Sequence, residues 1–328
     1  MNVARAVTLA ACLAAGAAVG IGAGVAEGAQ VGNGTPASCT SAAVVSAVAR
    51  GGRVTFDCGP APVTIRMRRT AKVRNVNPSL VLDGGGKVTL SGGGARRILY
   101  QNTCDRAQVW TTDHCQNQAT PRLVVKDITL RAGDATGETV DGGGGGAVFA
   151  RGGRLTIIRS RFAGNRCDRT GPDVGGAAVR ALSQFDDIPV RVVGSTFTGG
   201  RCSNGGALSS IGASWAISDS TFRGNRAVGR GANPARGGSP GGGSGGAIYL
   251  DGNRFTLTLR NTLIEDNLAR EGGGAIFFVS NDRTGTATLA ASTLRHNPSL
   301  GFETPGLPGI FFLGARRPAL VDGTRLIR

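Results

Sequence analysis

The adjacent acids Asp186-Asp187 are the nearest thing in this chain to a hydrolytic pair, because glycoside hydrolysis needs two carboxyl groups flanking one bond. A turn that merely exposes two acids accounts for the same dipeptide. Two further acidic groups offer the oxygen ligands that calcium takes: Asp134, Glu138 and Asp141 ahead of a glycine run, and Glu265, Asp266 and Glu271 after a turn. Neither has the spacing of a defined calcium loop, and local arginines are alternative partners for both. The sequence requires no cofactor, and calcium is the one these residues could serve. Gly142 to Gly146 is not a phosphate loop, since no Gly-Lys-Ser/Thr follows it. A zinc site is not expected from two histidines, His114 and His296, without paired Cys-x-x-Cys spacing.

Charge points to binding. The net charge is +16, and nearly all of the excess is arginine, because the lysines are Lys72, Lys87 and Lys126 alone. The planar guanidinium fork holds carboxylates, sulfates and phosphates bidentately, so affinity for polyanions is expected. A genome rich in G and C, which raises Arg, Gly and Ala together, is the competing account of the composition. Nucleic acid is the weakest polyanion, because the arginines are not interleaved with an aromatic stacking platform.

The elements that must position these residues are repeats. A Gly-Gly-Ala-aliphatic phrase recurs at Gly145, Gly175, Gly205, Gly245 and Gly273. Each is accompanied by a Phe-x-x-Asn phrase or a relative of it: Phe162 to Asn165, Phe197 to Gly200, Phe222 to Asn225, Ile264 to Asn267 and Leu294 to Asn297. A period of roughly 30 residues, stretched by Gly-rich insertions, is the mark of stacked coils. Five residues before the Phe-like position stand Ile157, Val192, Ile217, Leu259 and Leu289, and seven before it Leu155, Val190, Trp215, Leu257 and Ala287. Apolar residues at spacing two give a strand with one buried face. Ser160, Ser195, Ser220, Thr262 and Ser292 form a hydroxyl column, and Asn165, Asn225, Asn267 and Asn297 an amide column. With coils about 4.8 Å apart, these columns become internal ladders.

Met1 to about Ala26 carries a lone Arg5 and then small and apolar residues until Glu27, which reads as a secretory signal cut after Ala26 or Gly28. A membrane anchor is the rival reading; nothing later is long and apolar enough to span a bilayer. Six cysteines follow, and an even number in an exported chain implies disulfides, with fifteen pairings open. Sequence-local pairing gives Cys39–Cys58, Cys104–Cys115 and Cys167–Cys202. Ser41 to Arg50 is expected to form a short helix with Val44, Val45 and Val48 on one face, ended by Gly51-Gly52 and covering the open end of the stack. Residues 29–328 read as one domain, with excursions near 102–121, 226–244 and 297–308 that are expected to form a binding or catalytic rim.

The Gly-Gly-Ala-aliphatic and Phe-x-x-Asn pair resembles the repeat of chlamydial polymorphic outer-membrane proteins, and Ala42 to Cys58 is similar to the cap and first coil of pectate-lyase-like proteins. The resemblance spans roughly Cys39 to Leu313. It implies an all-β fold: a single-stranded right-handed parallel β-helix with a short N-terminal capping helix. That architecture hosts lyases, hydrolases, adhesins and phage spikes, so it implies little about activity. Trp110-Thr111-Thr112-Asp113-His114 resembles the Trp-x-Asp-His segment of pectate lyases with one residue inserted, which makes Asp113 and His114 catalytic candidates. The Arg-x-Pro-x-x-Arg segment of that group is absent, as are the Gly-His-Gly and Arg-Ile-Lys phrases of polygalacturonases that Asp186 and Asp187 would need. The polymorphic proteins are adhesins carried by a C-terminal membrane barrel; the residues after these repeats give no expectation of one, so their mode of export is not carried over.

The binding surface expected from the repeats is a column of outward residues. If Val148, Ala178, Leu208, Ile248 and Ile276 point inward, then Phe149, Val179, Ser209, Tyr249 and Phe277 point outward. With Arg151 and Arg180 alongside, they would form a strip for an anionic glycan or a partner protein unless an excursion covers them. The expected protein is exported, extracellular or loosely cell-surface-associated, and binds an extracellular or cell-wall polymer. A lyase or hydrolase acting on an acidic polysaccharide is the alternative.

Overall fold

The computed structural model describes residues 28–328. The expected signal segment therefore lies outside the described residues, apart from its last position. Short parallel strands stack into sheets of ten, eight and nine strands, with a small three-stranded sheet at one turn. Successive strands of one sheet come from successive coils, which makes the chain a parallel β-helix. The strands Arg154–Ile158, Val190–Val193, Trp215–Ser218, Thr256–Arg260 and Thr286–Ala290 are neighbours in the ten-stranded sheet. Their register puts Ile157, Val192, Ile217, Leu259 and Leu289 in one column. All five are buried, as spacing-two patterning requires.

The lumen is filled by such columns. Phe162, Phe197 and Phe222 stack at 4.7 Å between centroids, nearly parallel, because the coil spacing sets their separation. The hydroxyl ladder closes each turn: Ser160 N donates to Ser195 Oγ, Ser195 N to Ser220 Oγ and Thr262 N to Ser292 Oγ, each at 3.1 Å. The asparagine ladder is continuous above Asn225. Asn225 Nδ2 donates to Asn267 Oδ1 and Asn267 Nδ2 to Asn297 Oδ1, both at 2.9 Å. These amides satisfy backbone groups that the turns would otherwise strand, so their role is structural.

The helix forms over Ser41–Arg50 as its pattern requires. Thr40 accepts from the Ala43 amide at its start, Gly51 ends it at φ 78°, and Val44, Ala47 and Val48 are buried. It packs against the strands Ala29–Val31 and Ala71–Lys72, over the first coils. The three sequence-local cysteine pairs are the ones formed, with Cα separations of 5.7, 4.9 and 4.8 Å. No helix among the described residues is long and apolar enough to cross a membrane.

One alignment of the repeats needs correction. Val148 pairs with Val179 rather than with Ala178, and Phe149 with Arg180. The reason lies in the turn glycine. Gly145, Gly176, Gly205, Gly245 and Gly273 share a left-handed φ of 53° to 71°, so the second unit begins at Gly176 rather than Gly175. A one-residue slip exchanges faces, so Val179 enters the core and Arg180 points out.

Candidate functional site

The expected outward column exists, but it is not a surface. Tyr100, Phe149, Arg180, Ser209, Tyr249, Phe277 and Phe311 stand in register on the outer face of the eight-stranded sheet. Val148, Ala150 and their partners fill the lumen behind them. Phe149, Arg180, Tyr249 and Phe277 are nonetheless at most 2 % exposed. The excursions explain this, because they fold down as roofs instead of framing an open rim. Tyr100 Oη meets Asp105 of the first excursion at 3.1 Å. Asn233 of the second bonds both Tyr249 Oη and Asp251. Phe302 of the third sets its edge against Phe277. Over Phe149 lies the Arg97 guanidinium, 5.1 Å from the ring centre, which also holds the Gly144 and Gly145 carbonyls. Arg151 is part-exposed and is engaged by Asp141. Large apolar faces are stabilised by such coverage, so the aromatic strip contributes to folding and is closed to a polymer.

The calcium candidates do not gather. No group of three or more acidic, His or Cys side chains with metal-ligand geometry exists among the described residues. Each acid instead meets an arginine or, for Asp266, also a histidine. Asp134 pairs with Arg166 at 2.8 Å, Glu138 with Arg97 at 3.1 Å and Asp141 with Arg151. Glu265 receives Arg295 at 2.6 Å and Arg223 at 3.5 Å, Asp266 faces Arg223 and His296, and Glu271 holds Arg236 at 2.8 Å.

The catalytic candidates lie together on one side of the stack. Asp113 and His114 are exposed in the first excursion. Asn117 of that excursion accepts from the Asp186 amide at 2.7 Å, so the Asp186-Asp187 turn packs beside it. Asp187 is paired with Arg254 at 3.0 Å. Both acids are exposed.

The feature that sequence reasoning missed is an arginine strip along one turn of the coils. Arg166, Arg201 and Arg226 succeed one another by parallel pairing, one per coil, and the next position in the register is Leu268. The line continues toward the N-terminus through Asp134, whose amide donates to the Arg96 carbonyl at 2.9 Å, to the part-exposed Arg96. Two adjoining hollows of about 360 and 280 Å³ open on this line. The first is lined by Asp134, Arg166, Arg169 and Arg201, and the second by Arg169, Arg201, Arg226 and Arg270. All five arginines are exposed. Arg166 pairs with Asp134, while Arg169, Arg201, Arg226 and Arg270 make no ion pair among the described residues. Beyond Arg96 lies a further basic hollow of about 520 Å³ with Arg68, Arg69, Lys72 and Arg74 on its walls.

The strip is a consequence of the fold. A position that recurs once per coil recurs about every 4.8 Å along the axis, so one residue type there becomes a line of charge. Ala227, Val228 and Leu268 form the apolar floor of the second hollow. The sequence signal was the residue directly after the turn, in Asn165-Arg166, Gly200-Arg201 and Asn225-Arg226. The turn geometry that points it outward is the same geometry that buries each asparagine.

The segment that carries one rung of this line, with the strand and turn before it and the glycine phrase after it, has relatives. Residues 219–251 match the Chlamydia polymorphic membrane protein (Chlamydia_PMP) repeat. The matched stretch runs from the Phe222 strand through Asn225 and Arg226 to Gly245 and Tyr249, and so contains both phrases read from the sequence. The likeness to that repeat thus rests on residues whose positions the coil determines. No curated protein and no solved structure matches the chain.

Proposed function

We propose that this protein is an adhesin-like surface protein that binds an extracellular or cell-wall polymer bearing carboxylates or sulfates, along the strip from Arg96 to Arg270. The observation that carries the reading is the set of four exposed guanidinium groups, unpaired among the described residues, that line two adjoining hollows. Like charges held this close repel one another, and an anionic chain lying along the axis relieves that repulsion at each coil. Arginine suits the task because its fork pairs with carboxylate or sulfate oxygens two at a time. The repeat match and the disulfides support a surface location, and the run of coil pairings through the sheets supports reading residues 29–328 as one binding domain.

The test is retention of the oxidised protein on immobilised polygalacturonate and on a sulfated glycan, with an uncharged glucan as control. Absorbance at ~235 nm and new reducing ends are followed on the same polymers, because elimination and hydrolysis differ in these readouts. Retention on the anionic polymers with neither signal supports the binding reading. Equal passage through all three columns overturns it, and rising absorbance transfers the protein to the lyases.

A further inference from the structure

Arg180 is a buried cation without a counter-ion among the described residues. The residue is 1 % exposed, yet the one hydrogen bond its side chain makes among the described residues is from Nη1 to Ser209 Oγ at 3.1 Å. Nε is fully buried and finds no acceptor. Arg97 shows how the same fold treats a buried guanidinium that is complete: Glu138 and the carbonyls of Gly144 and Gly145 take up its donors. The acids nearest Arg180 in effect, Asp173 and Asp141, are committed elsewhere, Asp173 to Asn233 and Asp141 to Arg151 and Asn102. Burial pulls the Arg180 guanidinium down to about 10, which still leaves it charged at neutral pH. A charge taken out of water without a partner is held there at a cost that an anion would relieve.

The cover over this side chain is thin and carries no side chains of its own. Gly142 and Gly144 pass over the side chain with φ of 79° and 83°. A methyl group at Gly142 would lie 3.3 Å from Nη2 and one at Gly144 2.8 Å from Cδ, so glycine backbone forms the cover. Gly142 itself is exposed, which sets the guanidinium tip one residue below solvent. Phe149 lies one coil below Arg180, and Ser209 and Tyr249 one and two coils above, so the walls are aromatic rings and a hydroxyl.

We propose that Arg180 and Ser209 form an internal site for a small monovalent anion, a halide or a small carboxylate, that enters beneath the Gly142–Gly144 cover. The anion accepts from the Arg180 donors that the protein leaves free. This site is separate from the arginine strip and does not depend on its function.

The experiment is diffraction from the protein crystallised in sodium bromide, with anomalous data collected at the bromine edge. Thermal unfolding is measured alongside in sodium chloride, acetate and gluconate at one ionic strength, for the native chain and for Arg180→Leu. The expected result is an anomalous peak within hydrogen-bond reach of Arg180. The native chain should melt higher in chloride or acetate than in bulky gluconate, rising further with each tenfold increase in anion, as linkage requires. Arg180→Leu should lose that difference. Chloride alone raising the melting point marks a halide site, and acetate matching or exceeding it marks a carboxylate site. Water without anomalous signal at Arg180 overturns the proposal, as does a chloride effect that persists undiminished in Arg180→Leu. The bromide map decides the matter even if the variant does not fold.

Discussion

Replacing Asn267 with alanine should remove the central link of the amide ladder, and the structure sets the size of the loss. The side chain is 0 % exposed. Its Nδ2 donates to Phe222 O at 3.0 Å and to Asn297 Oδ1 at 2.9 Å, and its Oδ1 accepts from both the Asn225 amide and Asn225 Nδ2 at 2.9 Å. Truncation strands the Asn225 backbone N–H and one proton of its side chain inside the turn, with no route to water. A buried group left unpaired costs about 1–3 kcal/mol, so with two stranded Asn267→Ala should lose roughly 2–6 kcal/mol. Urea unfolding of the oxidised protein measures this against Asn253→Ala, an exposed turn substitution expected to stay within about 0.5 kcal/mol. Coil stacks couple each unit to its neighbours, so the slope of the transition is to be compared as well as its midpoint. A loss below ~1 kcal/mol, or one equal to the Asn253 control, would refute the view that the ladder is a network of obligatory bonds.

Other substitutions test other columns. Phe197→Ala removes the middle ring of a buried stack and should cost about 3–5 kcal/mol in the same assay, while Phe197→Leu should cost clearly less. Gly245→Ala forces a side chain onto φ 71° and against the Ile248 carbonyl, so its unfolding midpoint should fall by at least the equivalent of ~1–2 kcal/mol. Asp127 is held below the ordinary carboxylate range, chiefly by the Arg159 hydrogen bonds. The stability it contributes is full above its unfolded value near ~4 and is lost as pH falls through the lower folded value. Asp127→Asn should therefore flatten the acid limb of a stability-versus-pH curve, and an unchanged limb would dismiss this pair as a contributor.

The fold was legible because its determinants are local and periodic. Ile157, Val192 and Ile217 reveal a half-buried strand by spacing alone, and Asn165, Asn225 and Asn267 mark where each coil turns. The helix over Ser41–Arg50 was legible from its valines and the glycines after it. The face assigned to Arg180 was less so, because Gly175 and Gly176 both satisfy the phrase and only a backbone angle tells them apart. Coverage of the Tyr249 column was one of two readings the sequence left open, and nothing in it chose between them. It depends on where excursions of irregular length come to rest, and periodicity says nothing about them. The arginine strip was present in the letters after each turn. Aromatic residues drew the binding argument to the neighbouring sheet, although charge repeated at coil spacing was the stronger signal.

The central claim, that binding is localised to the strip, is tested most directly by moving the same charge change to another face. Arg201→Ser/Arg226→Ser/Arg270→Ser and Arg122→Ser/Arg191→Ser/Arg260→Ser remove equal charge, the first from the hollows and the second from exposed positions on the ten-stranded sheet. Affinity for polygalacturonate is to be measured for both across a salt series, since charge-driven binding weakens with salt in proportion to the contacts made. The account predicts at least about a tenfold loss, ~1.4 kcal/mol, and a shallower salt dependence for the first variant, with the second close to the native chain. Equal weakening of the two would show that the overall positive charge, and not this groove, holds the polymer.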